Sequence, residues 1–256
     1  MTERPQISAV VHTYNAARHL SRCLDALKQF DEIMVVDMES TDNTVEIAQN
    51  AGARVIIKER GEHRIPEAYR DFAIHEAKYD WVMVVDADEI VPPALVDYVY
   101  AEIERDPAPR AYEFPRKNYF MGRWMHDSYP DYILRFFNRK GAHWPYAVHS
   151  RPTHQGPLVR VPAARTDLAF IHLANESVED SIAKMNIYTN NEKERRRKRY
   201  HPLRLLCDPG FRFFKSYVLK GGFRDGWPGF IRAVHNSIYR FYILAKLQEE
   251  REHNDI

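Results

Sequence analysis

Residues 80–95 read DWVMVVDADEIVPPAL, and this stretch decides the fold. Trp81 to Val85 is a short, wholly apolar, largely β-branched run, the pattern of a strand buried on both faces. It ends at Asp86, and Asp86-Ala87-Asp88-Glu89 places three carboxylates just beyond it. Pro92-Pro93 then opens a helix carrying Leu95, Val96, Val99 and Ile103 at helical spacing. Toward the N-terminus the same unit recurs. Gln6 to His12 reads as a buried strand, and Asn15 is placed to cap a helix with Leu20, Cys23, Leu24 and Leu27 on one face. Ile33 to Val36 is a second strand, ending at Asp37. Ser40-Thr41-Asp42 then offers caps for a helix through Ala48, and Gly52 suits its stop. Val55 to Ile57 is a third strand, and Glu67 to Ala77 is helical. Four successive strand-helix units predict an α/β fold built on a doubly wound, mainly parallel sheet.

Ligands of such sheets bind beyond the carboxyl ends of the strands. Three of the four strands place polar groups there: Thr13 and Asn15, then Asp37, then Asp86 and Asp88. Two carboxylates one residue apart at a strand end can converge on Mg²⁺ or Mn²⁺, which take a few carboxylate oxygens and leave positions for substrate phosphates. The competing reading is that they merely cap the next helix. The first loop, HTYNAARH, contains no glycine, which excludes a glycine-rich dinucleotide loop and a P-loop.

The chain has 256 residues, room for one large domain or for one domain with a helical tail. Its 45% hydrophobic and 12% aromatic content excludes a disordered chain. Two cysteines, Cys23 and Cys207, provide neither a disulfide framework nor a cysteine zinc site. No long uncharged apolar window suggests a spanning helix, and Met1 to Pro5 lacks a signal peptide's apolar stretch, so a cytoplasmic protein is expected. Charge is asymmetric. Residues 1–128 hold 15 basic against 23 acidic residues, net −8, and residues 129–256 hold 22 against 13, net +9. The acidic half suits metal or carboxylate chemistry, and the basic half suits phosphates on lipid, nucleotide or nucleic acid.

From Ala111 the pattern changes. Tyr112 to Phe114 and Ile133 to Phe137 read as strands, with an aromatic group between and beside them: Tyr119, Phe120, Trp124, Tyr129 and Tyr132. Aromatic faces suit sugar rings, but a core explains such residues more often. Asp127 and Asp131 are candidate general bases, with surface solvation as the alternative. Among scattered histidines, His149 and His172 follow β-branched residues as at strand ends and are the better candidate metal ligands. Ser177 to Asn190 reads as a helix running into a basic stretch, residues 193–199. Further on, Phe230, Ile231, Val234, Ile238, Phe241, Tyr242 and Ala245 form one helical stripe with Arg232, Arg240 and Lys246 interspersed. That stripe is suited to a membrane interface, to packing on the body of the protein, or to a second copy of the chain.

VVHTYNAARHLSRCLDAL, DEIMVVDMESTDNTVEIAQNAGARV, DWVMVVDADEIVPPAL, KNYFMGRWMHDSYPDYILRFFNR, Val148-His149 and VLKGGFRDGWPGF occur in order from about Ile7 to Glu249. Together they resemble an inverting family 2 glycosyltransferase of GT-A fold, in the branch of lipopolysaccharide-core glucosyltransferases. The resemblance implies a GT-A-like sheet with a helical, basic C-terminal extension. Three regions are expected: a nucleotide-sugar half over 1–110, an acceptor-side part over 111–175 and a helical extension over 176–256. It also implies a hexosyltransferase using a uridine-linked sugar and a divalent metal, Mg²⁺ or Mn²⁺. Thr13, Asn15, Asp37, Asp86 and Arg70 would bind the nucleotide, and Asp86, Asp88, His149 and His172 are the metal candidates. Asp131, ahead of Leu134 and Arg135, would be the base, with Asp127 as the second candidate. Three positions depart from the family pattern: Ser150 replaces the Glu of Val-His-Glu, Tyr69-Arg70-Asp71 replaces Gln-Arg-Asn, and Tyr14 replaces a basic residue.

The expected acceptor is a glycan, a glycolipid or a peptide, in cell-surface polysaccharide or lipopolysaccharide synthesis. Peripheral contact with the inner face of the cytoplasmic membrane and a homo-oligomer are compatible with the sequence, and nucleic acid is not an expected partner. Two alternatives stand beside this reading. One is a sugar nucleotidyltransferase, which needs a glycine-rich basic loop that HTYNAARH does not supply. The other is a non-catalytic membrane- or nucleic-acid-binding module built on the basic half.

Overall fold

A computed structural model describes residues 4–60, 67–146, 150–175, 177–195, 201 and 203–254. The chain divides into two compact units. The first comprises Met1–Lys117 and Pro130–His172, the second Asn118–Tyr129 and Leu173–Ile256. The strands are β1 (Ile7–Thr13), β2 (Glu32–Asp37), β3 (Arg54–Ile57), β4 (Trp81–Asp86), β5 (Glu89–Ile90), β6 (Ala111–Phe120), β7 (Arg123–Trp124), β8 (Asp131–Asn138), β9 (Leu158–Arg160) and β10 (Phe170–Asn175). Their order in the sheet is β3-β2-β1-β4-β8-β6-β10-β5, with β7 and β9 each pairing β6.

In the first unit β3, β2, β1 and β4 are mutually parallel, as four strand-helix units require. β8 then pairs antiparallel to β4 and to β6. The helices are α1 (Ala17–Ala26), α2 (Thr44–Asn50), α3 (Glu67–Glu76) and α4 (Pro93–Arg105). Alternation along β1 and β4 splits the core. Ala9, Val11, Met83 and Val85 pack with Leu20 and Leu24 of α1 and with Leu95, Val99 and Ile103 of α4. Val10, Val82 and Val84 pack on the other side with Ala73 and Ile74 of α3. Both faces are covered, which is why these strands read as unbroken apolar runs. Glu113, in the first half of β6, is fully buried, and Arg151 and Arg160 close over its carboxylate.

Two local expectations are revised. Asn15 does not cap α1. It has a left-handed φ of 47°, and its Oδ1 accepts from the Thr41 amide at 2.8 Å, tying the first loop to the second. His172 lies inside β10, not at a strand end, and pairs in register with Glu89.

The second unit packs α5 (Val178–Arg195), α6 (Arg204–Phe214) and α7 (Gly226–Asn254) with the short hairpin of residues 118–129. Ile243, Leu244 and Leu247 of α7 form its small core with Leu205 and Tyr239. A π-helical turn, Lys215–Leu219, and the GGFRDGWPG segment join α6 to α7. That segment needs its glycines for close approach: a Cβ on Gly229 would lie 2.0 Å from the Gly222 carbonyl oxygen. Asp225 is fully buried. It accepts from the His126 amide at 2.9 Å and from the His126 ring at 2.5 Å, fastening the hairpin to the start of α7. Tyr119, Phe120, Trp124 and Tyr129 of the aromatic group fall in this unit and Tyr132 in the first. Trp124 stacks on His126 with ring centroids 4.9 Å apart.

Candidate active site

Parallel register builds the site. His12 lies opposite both Val36 and Asp86, and Thr13 lies opposite Asp37, so β1, β2 and β4 deliver Thr13, Asp37 and Asp86 to one edge. On the β2 side, Asp37 is fully buried and its carboxylate is saturated locally. Thr13 Oγ1 donates at 2.7 Å, Ser40 N at 2.8 Å and Ser40 Oγ at 2.6 Å. The Asn15 amide donates to Ser40 Oγ at 2.8 Å, so the first two loops form one hydrogen-bonded rim.

On the β4 side charges alternate in a chain. Arg70 of α3 donates to Asp86 Oδ1 at 2.8 Å, and Arg135 of β8 donates to Asp86 Oδ2 and, at 3.1 Å, to Glu89. Arg116 of β6 then bridges Glu89 at 2.9 Å and Asp131 at 2.6 Å. Asp131, Arg116, Glu89, Arg135, Asp86 and Arg70 thus form a continuous network reaching from the proposed base to the strand-end carboxylates. Burial raises the Asp86 carboxyl, but Arg135, Arg70 and Arg116 outweigh it and hold the group well below the usual carboxylate range. Burial lowers the Arg135 guanidinium, and Asp86 and Glu89 more than restore it, so it stays charged. The Asp86 side chain keeps 27% exposure, which leaves it open to a ligand from the sheet edge.

Two histidines border this network. His12 is buried, and neither ring nitrogen has a hydrogen-bond partner among the described residues. Burial, reinforced by Arg70 and opposed by Asp86, pushes it down to about 3. His172 Nε2 lies 3.6 Å from Asp88 Oδ1. Burial and the Arg116 charge push it down to about 4, so it is neutral at pH 7 and able to act as a nitrogen ligand. Among the described residues no three His, Cys, Asp or Glu side chains gather as a metal cage. The Asp88–His172 pair still fits an ion that takes few protein ligands, since an oxygen and a neutral imidazole suit Mn²⁺.

The remaining candidates are placed differently. Asp127 lies in the second unit, buried, where Ser216 Oγ donates to it at 2.5 Å and Arg232 Nε stands 3.4 Å away. His149 lies outside the described residues. Sequence reasoning missed Arg116 and His12 as site residues, read Glu89 only as one of the strand-edge carboxylates and Ser40 only as a helix cap, and named Arg135 only as part of a strand pattern. Glu89 and Ser40 each stand three residues beyond a strand-end aspartate, a spacing that could have flagged both. The two arginines are brought in by antiparallel pairing across β8 and β6, which no local pattern announces.

A parallel sheet whose edge mixes carboxylates with guanidinium groups can hold a phosphorylated ligand without a glycine cradle. Residues 8–165 match the family Glycosyl transferase family 2, and the chain belongs to that family. Similar proteins include an uncharacterized glycosyltransferase of Rickettsia bellii (strain RML369-C), 28% identical over 95% of this chain and 86% of that protein. The lipopolysaccharide core biosynthesis glycosyltransferase LpsC of Rhizobium meliloti (strain 1021) is 25% identical over 97% of this chain and 94% of its own length. Among solved structures, S. aureus TarS 1–349 superposes with a TM-score of 0.48 at 14% identity, over 97% of this chain and 92% of that one. Family membership makes the chain a glycosyltransferase and sets aside the non-catalytic alternative.

Proposed function

We propose that the chain transfers a hexose from a uridine diphosphate sugar, with inversion, to a membrane-borne glycolipid or glycan of the cell-surface polysaccharide or lipopolysaccharide core. The observation that carries this reading is the single network joining Asp131 to Asp86 at the carboxyl edge. The rim of Thr13, Asn15, Asp37 and Ser40 binds and orients the nucleoside. Arg70 Nε and Arg135 Nε are buried donors without a hydrogen-bond partner among the described residues, a shortfall that phosphate oxygens would relieve. Asp88 and His172 would hold the divalent ion, with Asp86 beside them. When bound, the ion supplies positive charge to the departing diphosphate.

Asp131, oriented by Arg116, takes the proton from the acceptor hydroxyl as its oxygen attacks the anomeric carbon from the face opposite the diphosphate. Attack from that face inverts the configuration. The Asp131 side chain keeps 37% exposure, whereas Asp127 is buried against Ser216 and Arg232, which favours Asp131 as base. Homology to a lipopolysaccharide core transferase supports the acceptor class.

Thermal unfolding with UDP, with and without Mn²⁺, tests the reading. A ligand at 100 times its Kd adds about 2.7 kcal/mol. A metal-dependent rise that Asp88→Asn abolishes supports it. No metal-dependent rise with any nucleoside diphosphate overturns it.

A further inference from the structure

One side of helix α6 is bonded to α7. Asp208 accepts from Arg240 of α7 at 2.5 Å, and the Pro209 carbonyl accepts from Ser237 of α7 at 2.8 Å. Leu205 packs on the unit's small core, but Leu206, Phe211 and Phe214 face solvent. Leu203, Leu206, Gly210 and Phe214 recur every three or four residues on one side, and Leu206 is 75% exposed. The exposed apolar surface continues past the π-helical turn through Leu219, Phe223 and Trp227, the last 76% exposed. A helix that ion-pairs its aspartate within the unit and exposes leucine and phenylalanine is suited to a second apolar phase.

The charges around it identify that phase. Residues 203–230 carry five Lys or Arg against two Asp. Both aspartates are engaged within the unit, Asp208 by Arg204 and Arg240 and Asp225 by His126. Arg212, Lys215, Lys220 and Arg224 are exposed and have no carboxylate partner among the described residues. No described helix is long and apolar enough to cross a membrane. An exposed tryptophan, apolar side chains and unpaired cations on one short helix and the segment after it match the headgroup boundary of an anionic bilayer. We propose that the face running from Leu203 through Leu206 and Phe214 to Trp227 docks onto anionic lipid, lying in the plane of the interface. The inference rests on the reading of a membrane-borne acceptor and names the surface that holds the chain at that membrane.

Co-sedimentation of the full chain with vesicles tests it, comparing mixed phosphatidylcholine and phosphatidylglycerol with phosphatidylcholine alone. The chain partitions onto the mixed vesicles, and Trp227 fluorescence shifts to the blue, a shift that Trp227→Phe removes. Leu206→Glu, on the solvent side of α6, lowers partitioning at least about tenfold. Lys220→Gln lowers it about fivefold. Equal binding to both vesicle types, or unchanged binding of Leu206→Glu with native circular dichroism, overturns the proposal. So does a dimer in light scattering that Leu206→Glu dissolves while vesicles bind neither form, since the face then joins two copies. UDP binding, measured on the same variants, stays at the wild-type level. Its loss in the wild type, with vesicle binding intact, would sink the donor reading and leave this surface standing.

Discussion

His12 gives the sheet edge a measurable pH signature. Its ring is buried beside Arg70 and Arg135, and its pKa falls from 6.5 to about 3. A base whose folded pKa is depressed stays neutral in the native state and takes up its proton on unfolding. Stability from this residue is therefore intact above pH 6.5 and is lost as pH falls toward about 3. At pH 5 the unfolded histidine lies about 1.5 pH units below its pKa, which is a loss of about 2 kcal/mol at 1.36 kcal/mol per unit. Carboxylates titrate in the same range, so the quantity to measure is a difference of differences. Urea unfolding of the wild type and of His12→Gln, each at pH 7.5 and pH 5 in EDTA, provides it. The variant's loss on acidification is about 2 kcal/mol smaller than the wild type's. Equal losses in the two proteins would refute both the burial of the ring and the influence of the two guanidiniums.

Removing charge from the network has larger effects. Arg135→Gln leaves Asp86 to Arg70 and Glu89 to Arg116 and destabilises the first unit by about 2–3 kcal/mol in urea, whereas a change below about 1 kcal/mol would show that the remaining guanidiniums suffice. Asp131→Asn lowers the transfer rate at least about a hundredfold while UDP binding by calorimetry is unchanged. If Asp127→Asn alone gives that pattern, the base has been misassigned. Gly229→Ala drives a Cβ into the Gly222 carbonyl and costs about 1–3 kcal/mol, seen as a lower Tm, because backbone cannot yield there as a side chain can.

What the sequence reveals about the fold follows from how local the signals are. β1, β2 and β4 each carry an apolar run closed by a polar residue, broken only by Ser8 near the start of β1, because burial on both faces favours apolar side chains throughout. β6 was legible only over Tyr112 to Phe114, although it spans Ala111–Phe120, because its later residues are partly exposed and mix charge with aromatics. Asn15 misled for a physical reason. An asparagine before a helix suits an N-cap, yet the same short amide tolerates a left-handed φ, and here it serves the neighbouring loop instead.

The candidate site divides along the same line. Thr13, Asp37 and Asp86 were legible because parallel register carries the ends of adjacent strands to one edge whatever else the chain does. The guanidiniums were not, because their meaning depends on partners far away in sequence: Arg135 meets Asp86 across 49 positions and Arg116 meets Glu89 across 27. Counting acidic residues alone makes the edge look like a bare cation site. On the β4 side four carboxylates (Asp86, Asp88, Glu89 and Asp131) lie among three guanidiniums (Arg70, Arg116 and Arg135), so that side is nearly neutral before any ligand arrives. Near-neutrality changes the chemistry to be expected. A strongly acidic pocket would repel a diphosphate until a metal filled it. With Arg70, Arg116 and Arg135 fixed in place, the edge can admit an anionic group before any cation is bound.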